Sequence, residues 1–144
     1  MKKSILNLCL LTAFSCAVFG AEQPDATTIQ GSWVPIKAEL AGTPLPAAVL
    51  KTISLKLTNG KYDVLADNHP DKGTYTLDPS ANPKSITITG TDGPNKGKTF
   101  PSIYELKGDT LRICYDLSGA ARPTDFKTVA GTKLYLVTYQ RKQQ

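Results

Sequence analysis

Histidine, tryptophan and methionine each occur once in these 144 residues, and cysteine three times. Cys9 and Cys16 fall inside an export-like leader, so the domain downstream keeps only Cys114 and is expected to have no internal disulfide. The lone His69 lies in Asp67-Asn68-His69-Pro70-Asp71-Lys72-Gly73, which reads as a solvated turn. Asp67, Asn68 and Asp71 lack the alternating spacing and closing glutamate of a calcium loop, so no metal and no cofactor is expected. The segment Asp92-Gly93-Pro94-Asn95-Lys96-Gly97-Lys98 lacks Walker spacing and has no helix after it; it reads as a Gly/Pro hairpin loop. No basic run stands out from the scattered acidic residues, which argues against nucleic acid as a partner. The apolar run near the start is too short and too interrupted, by Asn7, Thr12 and Ser15, for a transmembrane segment, which needs about 20 residues.

That run has another reading. Lys2 and Lys3 precede an apolar stretch from Ile5 to Val18, followed by the small residues Gly20 and Ala21, the three-part layout of a signal peptide. Residues 1–20 are therefore expected to be removed after Gly20. Lipoprotein processing at Cys16 is the alternative, although Ala13 stands where such signals usually carry leucine and bulky Phe14 follows. Loss of Lys2 and Lys3 takes the formal charge from +5 to +3. The mature protein is expected to be secreted or periplasmic and monomeric, with residues 21–29 a flexible leader, 30–141 one domain and 142–144 a polar tail.

From Gly31 the chain breaks into short runs of Ile, Leu, Val, Thr and Tyr between Gly, Pro, Asn and Asp clusters. Eight strands are predicted, over 32–40, 53–58, 61–66, 73–77, 85–89, 102–106, 110–117 and 132–141. Alternation is clearest at Ile53, Leu55 and Leu57, at Ile86 and Ile88, and at Leu111, Ile113, Tyr115 and Leu117. Leu134 and Leu136 are assigned inward on the last strand. An antiparallel sheet of this size avoids wet edges by closing, so the expected class is all-β: an eight-stranded antiparallel up-and-down barrel, with a sandwich second. One short helix over 46–51, capped by Thr43, is expected after the first strand.

The strand carboxylates Glu39, Glu105 and Asp116 alternate against apolar neighbours and are expected to face water, which leaves no catalytic constellation and no expected enzyme activity. Cys114, between Arg112 and Asp116, is assigned to the outer face, where a covering loop would bury it. The loop 118–131 is long enough to serve as a lid or binding element. In one reading its Arg122 engages an anionic group at the barrel mouth; in the other Arg122 pairs with Asp116 or Asp125 while Phe126 anchors the loop to the core.

Gly31-Ser32-Trp33 is the Gly-x-Trp that opens the first strand of many lipocalins. With it stand Gly42-Thr43-Pro44-Leu45-Pro46, Gly73-Thr74-Tyr75, Asp78-Pro79, Ile103-Tyr104-Glu105-Leu106, Gly108-Asp109-Thr110-Leu111 and Arg122-Pro123-Thr124-Asp125-Phe126. Over about residues 29 to 141 the chain resembles an uncharacterised lipocalin-like secreted-domain family of planctomycete-type bacteria. The resemblance implies an eight-stranded barrel of unassigned activity, in which Trp33 and Arg141 pair structurally at the closed end. The functional expectation is a small apolar or amphipathic ligand in the barrel, lined by Tyr62, Tyr75, Tyr104 and Tyr115, with Arg122 and Phe126 at the mouth. The alternative is a filled barrel that meets another protein of the cell envelope.

Overall fold

Every second residue of Ile53–Thr58 is apolar and points one way, and the same holds for Ser85–Asp92 and Thr110–Asp116; only a closed sheet can bury such faces together without leaving an unpaired edge. In the computed structural model, which describes residues 23–144, the sheet closes in this way. Its strands are β1 (Gly31–Leu40), β2 (Thr43–Pro44), β3 (Ile53–Thr58), β4 (Lys61–Ala66), β5 (His69–Asp78), β6 (Ser85–Asp92), β7 (Thr99–Lys107), β8 (Thr110–Asp116) and β9 (Leu134–Arg141). Neighbours pair antiparallel from β3 through β9, and β1 bridges both β3 and β9. The barrel therefore has eight strands, with β2 added to the end of β1. The predicted class holds. Outward positions such as Lys56, Asp63, Lys72, Glu105 and Arg112 are charged, whereas a barrel that crosses a membrane presents an apolar outer band. Among the described residues no helix is long and apolar enough to cross a membrane.

Four local expectations are corrected. The segment read as a flexible leader carries a helical turn, α1 (Asp25–Thr28), and Ile29 after it is fully buried. An isolated turn of this length has no helical stability of its own, and it is packing that holds it. The predicted turn around His69 narrows to Asp67-Asn68, and β5 already begins at His69, which is exposed. The short helix exists as α2 (Ala47–Leu50), but Pro46 precedes it without a side-chain cap, and Thr43 belongs to β2. On β9 the inward face is Tyr135, Val137 and Tyr139, so Leu134 and Leu136 point outward. The predicted signal peptide lies outside the described residues.

The two barrel ends differ. At the closed end the Trp33 indole donates to the Ile29 carbonyl at 2.9 Å, and the Arg141 guanidinium stacks on the indole at 4.3 Å. Arg141 also donates to the Gln30 carbonyl at 2.6 Å and the Thr28 carbonyl at 2.7 Å, and its Nε reaches Asp109 at 2.9 Å. The glycine of Gly31-Ser32-Trp33 has a physical cause here: its φ is +134°, and a Cβ would sit 2.8 Å from Arg141 Nη1. Tyr104 donates to Asp25 at 2.6 Å and Lys84 pairs with the same carboxylate at 2.9 Å, fastening α1 across the end.

Candidate functional site

The other end of the barrel is where β1, β4, β6 and β8 hand over to the strands that follow, and here the interior is not filled. A cavity of about 200 Å³ lies among Leu55, Leu57, Val64, Ile86, Ile88 and Phe100, with Ile53, Ala66 and Leu117 towards the mouth. Alternation on each strand puts these side chains inside, while the buried bulk of Trp33 and Tyr104 fills the closed end. Tyrosines supply most of its remaining wall: Tyr62, Tyr75, Tyr115, Tyr135 and Tyr139. Tyr115 and Tyr135 stack with centroids 5.7 Å apart, and the Tyr115 and Tyr139 hydroxyls lie 3.3 Å from each other. Burial pushes the hydroxyls of Tyr75, Tyr115, Tyr135 and Tyr139 above the ordinary phenol value, so all four stay protonated at neutral pH.

One carboxylate enters this apolar wall. Asp71 accepts from the Tyr62 hydroxyl at 3.3 Å, from the Asn95 side-chain amide at 2.8 Å and from the Asn95 backbone N–H at 3.3 Å. The missing side chain of Gly73 makes the first contact possible. Gly73 sits opposite Tyr62 on β5, and a Cβ there would be 2.5 Å from the Tyr62 ring and 2.0 Å from the Thr89 carbonyl oxygen. The Tyr62 hydroxyl is pushed up to about 12, by burial first and then by the Asp71 charge and hydrogen bond.

Of the ligand-lining residues expected from the sequence, Tyr62, Tyr75 and Tyr115 meet at this cavity. Tyr104 does not; its hydroxyl is committed to Asp25 at the closed end. Arg122 and Phe126 are not at the mouth either, because the long loop after β8 straps the outside of the barrel. Arg122 donates to the carbonyls of Ile86 at 3.0 Å and Ser102 at 2.5 Å and to Thr87 Oγ1 at 2.9 Å, pairing with neither Asp116 nor Asp125. Phe126 packs under the Arg112 guanidinium at 4.1 Å on the outer face and not in the core.

The strap covers outward-facing apolar groups. Ile103 and Cys114 are paired across β7 and β8, and both are buried although they face away from the barrel interior. The Cys114 thiol lies 3.7 Å from the Lys127 carbonyl, as the outer-face assignment with a covering loop requires, and burial pushes its pKa up. Asp116, expected in water, is buried and takes hydrogen bonds from Ser118 Oγ and from the backbone N–H groups of Ser118 and Ala121. Glu39 accepts from Thr128, and Glu105 pairs with Arg112. These three carboxylates thus bind the strap and outer wall, away from the cavity.

Asp71, Asn95, Phe100, Tyr135 and Tyr139 were missed from the sequence. Tyr135 and Tyr139 stand four apart on one strand, a usable signal that the equally apolar alternate positions Leu134 and Leu136 obscured. Asp71 and Asn95 are separated by a whole hairpin, and nothing local joins them.

No family model matches the chain, and no curated protein matches it. Among solved structures it is similar to a DUF4847 family protein from Bacteroides vulgatus ATCC 8482, solved at 1.00 Å. The identity is 12%, the match covers 83% of this chain and 98% of that one, and the TM-score is 0.50. At that identity the likeness speaks for the fold alone. It is a likeness of fold and lends no support to the planctomycete-type, lipocalin-like family expected from the motifs.

Proposed function

We propose that this protein is a binding barrel for one small, largely apolar molecule, held in the open half of the barrel. The cavity carries the reading. Its 200 Å³ exceeds the roughly 150 Å³ that suffices to bind benzene in a dry protein interior, and its wall is apolar and aromatic with one convergent polar cluster. Binding is favoured over turnover because Glu39, Glu105 and Asp116 are spent on the outer wall. It is favoured over a purely structural barrel that meets an envelope partner because the interior keeps unfilled space, while the most elaborate loop, the strap, turns its arginine onto its own wall. Among the described residues the sheet closes through β1, and the strand added to it, β2, is two residues long, which fits a monomer. Export to the periplasm or the medium, through the signal-like leader, completes the proposal.

Native mass spectrometry of the protein purified gently from its own host, before and after denaturation, tests it. A small molecule released on unfolding is the expected result. An empty barrel that also shows no saturable uptake of small aromatic hydrocarbons in titration calorimetry refutes it.

A further inference from the structure

The cavity contains an electrostatic imbalance. Asp71 receives three hydrogen bonds, all from neutral donors: the Tyr62 hydroxyl and the backbone and side chain of Asn95. Among the described residues no lysine or arginine forms an ion pair with it; the adjacent Lys72 pairs with Asp63 on the outer face. Neutral donors solvate a carboxylate but do not cancel its charge, and the half-buried Asp71 sets a carboxylate beside an apolar wall, where an entering cation would find its counter-charge. Two oxygens offer about four acceptor sites, so three donors leave one open. The rest of the wall suits the same visitor, since Tyr62, Tyr75, Tyr115, Tyr135, Tyr139 and Phe100 present aromatic rings, whose faces attract cations.

We infer that the cavity selects an apolar molecule carrying a protonated amine, with the ammonium against the Asp71 carboxylate and the hydrocarbon among the tyrosine rings. This rests on the binding reading above and adds the chemical class of the ligand. The same carboxylate disfavours fatty acids and other anions, which would place like charges together. The size of the space limits the ligand to about one ring and a short arm.

Benzylamine and ethylbenzene have the same shape and the same number of heavy atoms and differ in the ammonium, so they isolate the charge. Titration calorimetry on the mature protein at pH 7 is expected to show benzylamine binding at least about tenfold more tightly than ethylbenzene, with no detectable binding of benzoate. In Asp71→Asn, which retains an oxygen acceptor for Asn95, benzylamine should fall to the level of ethylbenzene, and ethylbenzene should change less than about threefold. In Lys72→Ala, which removes the neighbouring outer-face charge paired with Asp63 but leaves the cavity wall intact, the preference for the amine should persist, and its loss overturns the inference.

Ethylbenzene binding with no preference for benzylamine, or benzoate binding as well as the amine, overturns the inference and leaves the apolar-ligand reading standing. If Asp71→Asn abolishes binding of both molecules, Asp71 is only a clamp for the 93–98 loop, and the inference is again overturned. Failure of benzylamine and ethylbenzene alike in the wild-type protein removes both.

Discussion

Arg141→Ala puts the closed end of the barrel to a quantitative test. The guanidinium supplies two hydrogen bonds to the carbonyls that end α1 and lead into β1, at 2.7 Å from Thr28 and 2.6 Å from Gln30. Bonds from a charged donor each contribute about 1.5–3 kcal/mol, and water entering the truncated site recovers part of that loss. Stacking on Trp33, which is wholly buried, adds about 1 kcal/mol. The ion pair to Asp109 adds little, because that side chain is 60% exposed. The sum is about 4 kcal/mol, which for a domain of this size lowers Tm by roughly 15 °C. Arg141→Lys keeps the charge but not the planar fork, and should lose about half as much. Differential scanning calorimetry measures both. An Arg141→Ala protein that melts within about 3 °C of wild type would refute the claim that this residue holds α1 over the barrel end.

Acid should loosen the same end and the strap together. Burial raises the carboxyl pKa of Asp25, but the hydrogen bonds from Lys84 and Tyr104 outweigh it; at Asp116 burial is likewise outweighed by Ser118 and the backbone N–H groups beyond it, so both lie below the usual 3.8. A carboxylate depressed in the folded state stabilises above its unfolded pKa, and that contribution fades as pH falls through and below the folded value. Urea midpoints should therefore drop from about pH 5 to pH 2, and Asp25→Asn should flatten the slope; an unchanged slope counts against the Asp25 contacts. Arg122→Ala removes three hydrogen bonds to β6 and β7 and should speed labelling of Cys114 by a thiol reagent at least about tenfold, with a stability loss of roughly 1.5–3 kcal/mol. Equal labelling rates in variant and wild type would mean that the strap is not what shields the thiol.

Alternation alone was enough to orient β3, β6 and β8, because each of these strands shows apolar residues on one face and polar residues on the other. It also made closure the economical answer to eight antiparallel strands, whereas the pairing of Trp33 with Arg141 at the closed end entered only as an implication of the resemblance. β9 could not be oriented in this way. Its first half is apolar on both faces, Tyr135 and Val137 inside and Leu134 and Leu136 outside, on the wall along which the strap runs. A covered outer face removes the polar half of the period-2 signal. The strap also took Arg122 and Phe126 away from the mouth, since carbonyls on β6 and β7 and the Arg112 side chain become its partners only once the barrel has closed. Ile29 looked like leader because one apolar residue among Pro24, Asp25, Thr27 and Thr28 has no period; the barrel end supplies the surface that buries it. The candidate site divides in the same way. Tyr62, Tyr75 and Tyr115 were legible from their place on strands, whereas Tyr135 and Tyr139 were hidden by the orientation of β9, and the meeting of Asp71 with Asn95 and Tyr62 depends on the register of β4, β5 and β6 and on the bare backbone at Gly73, which only the tertiary structure decides.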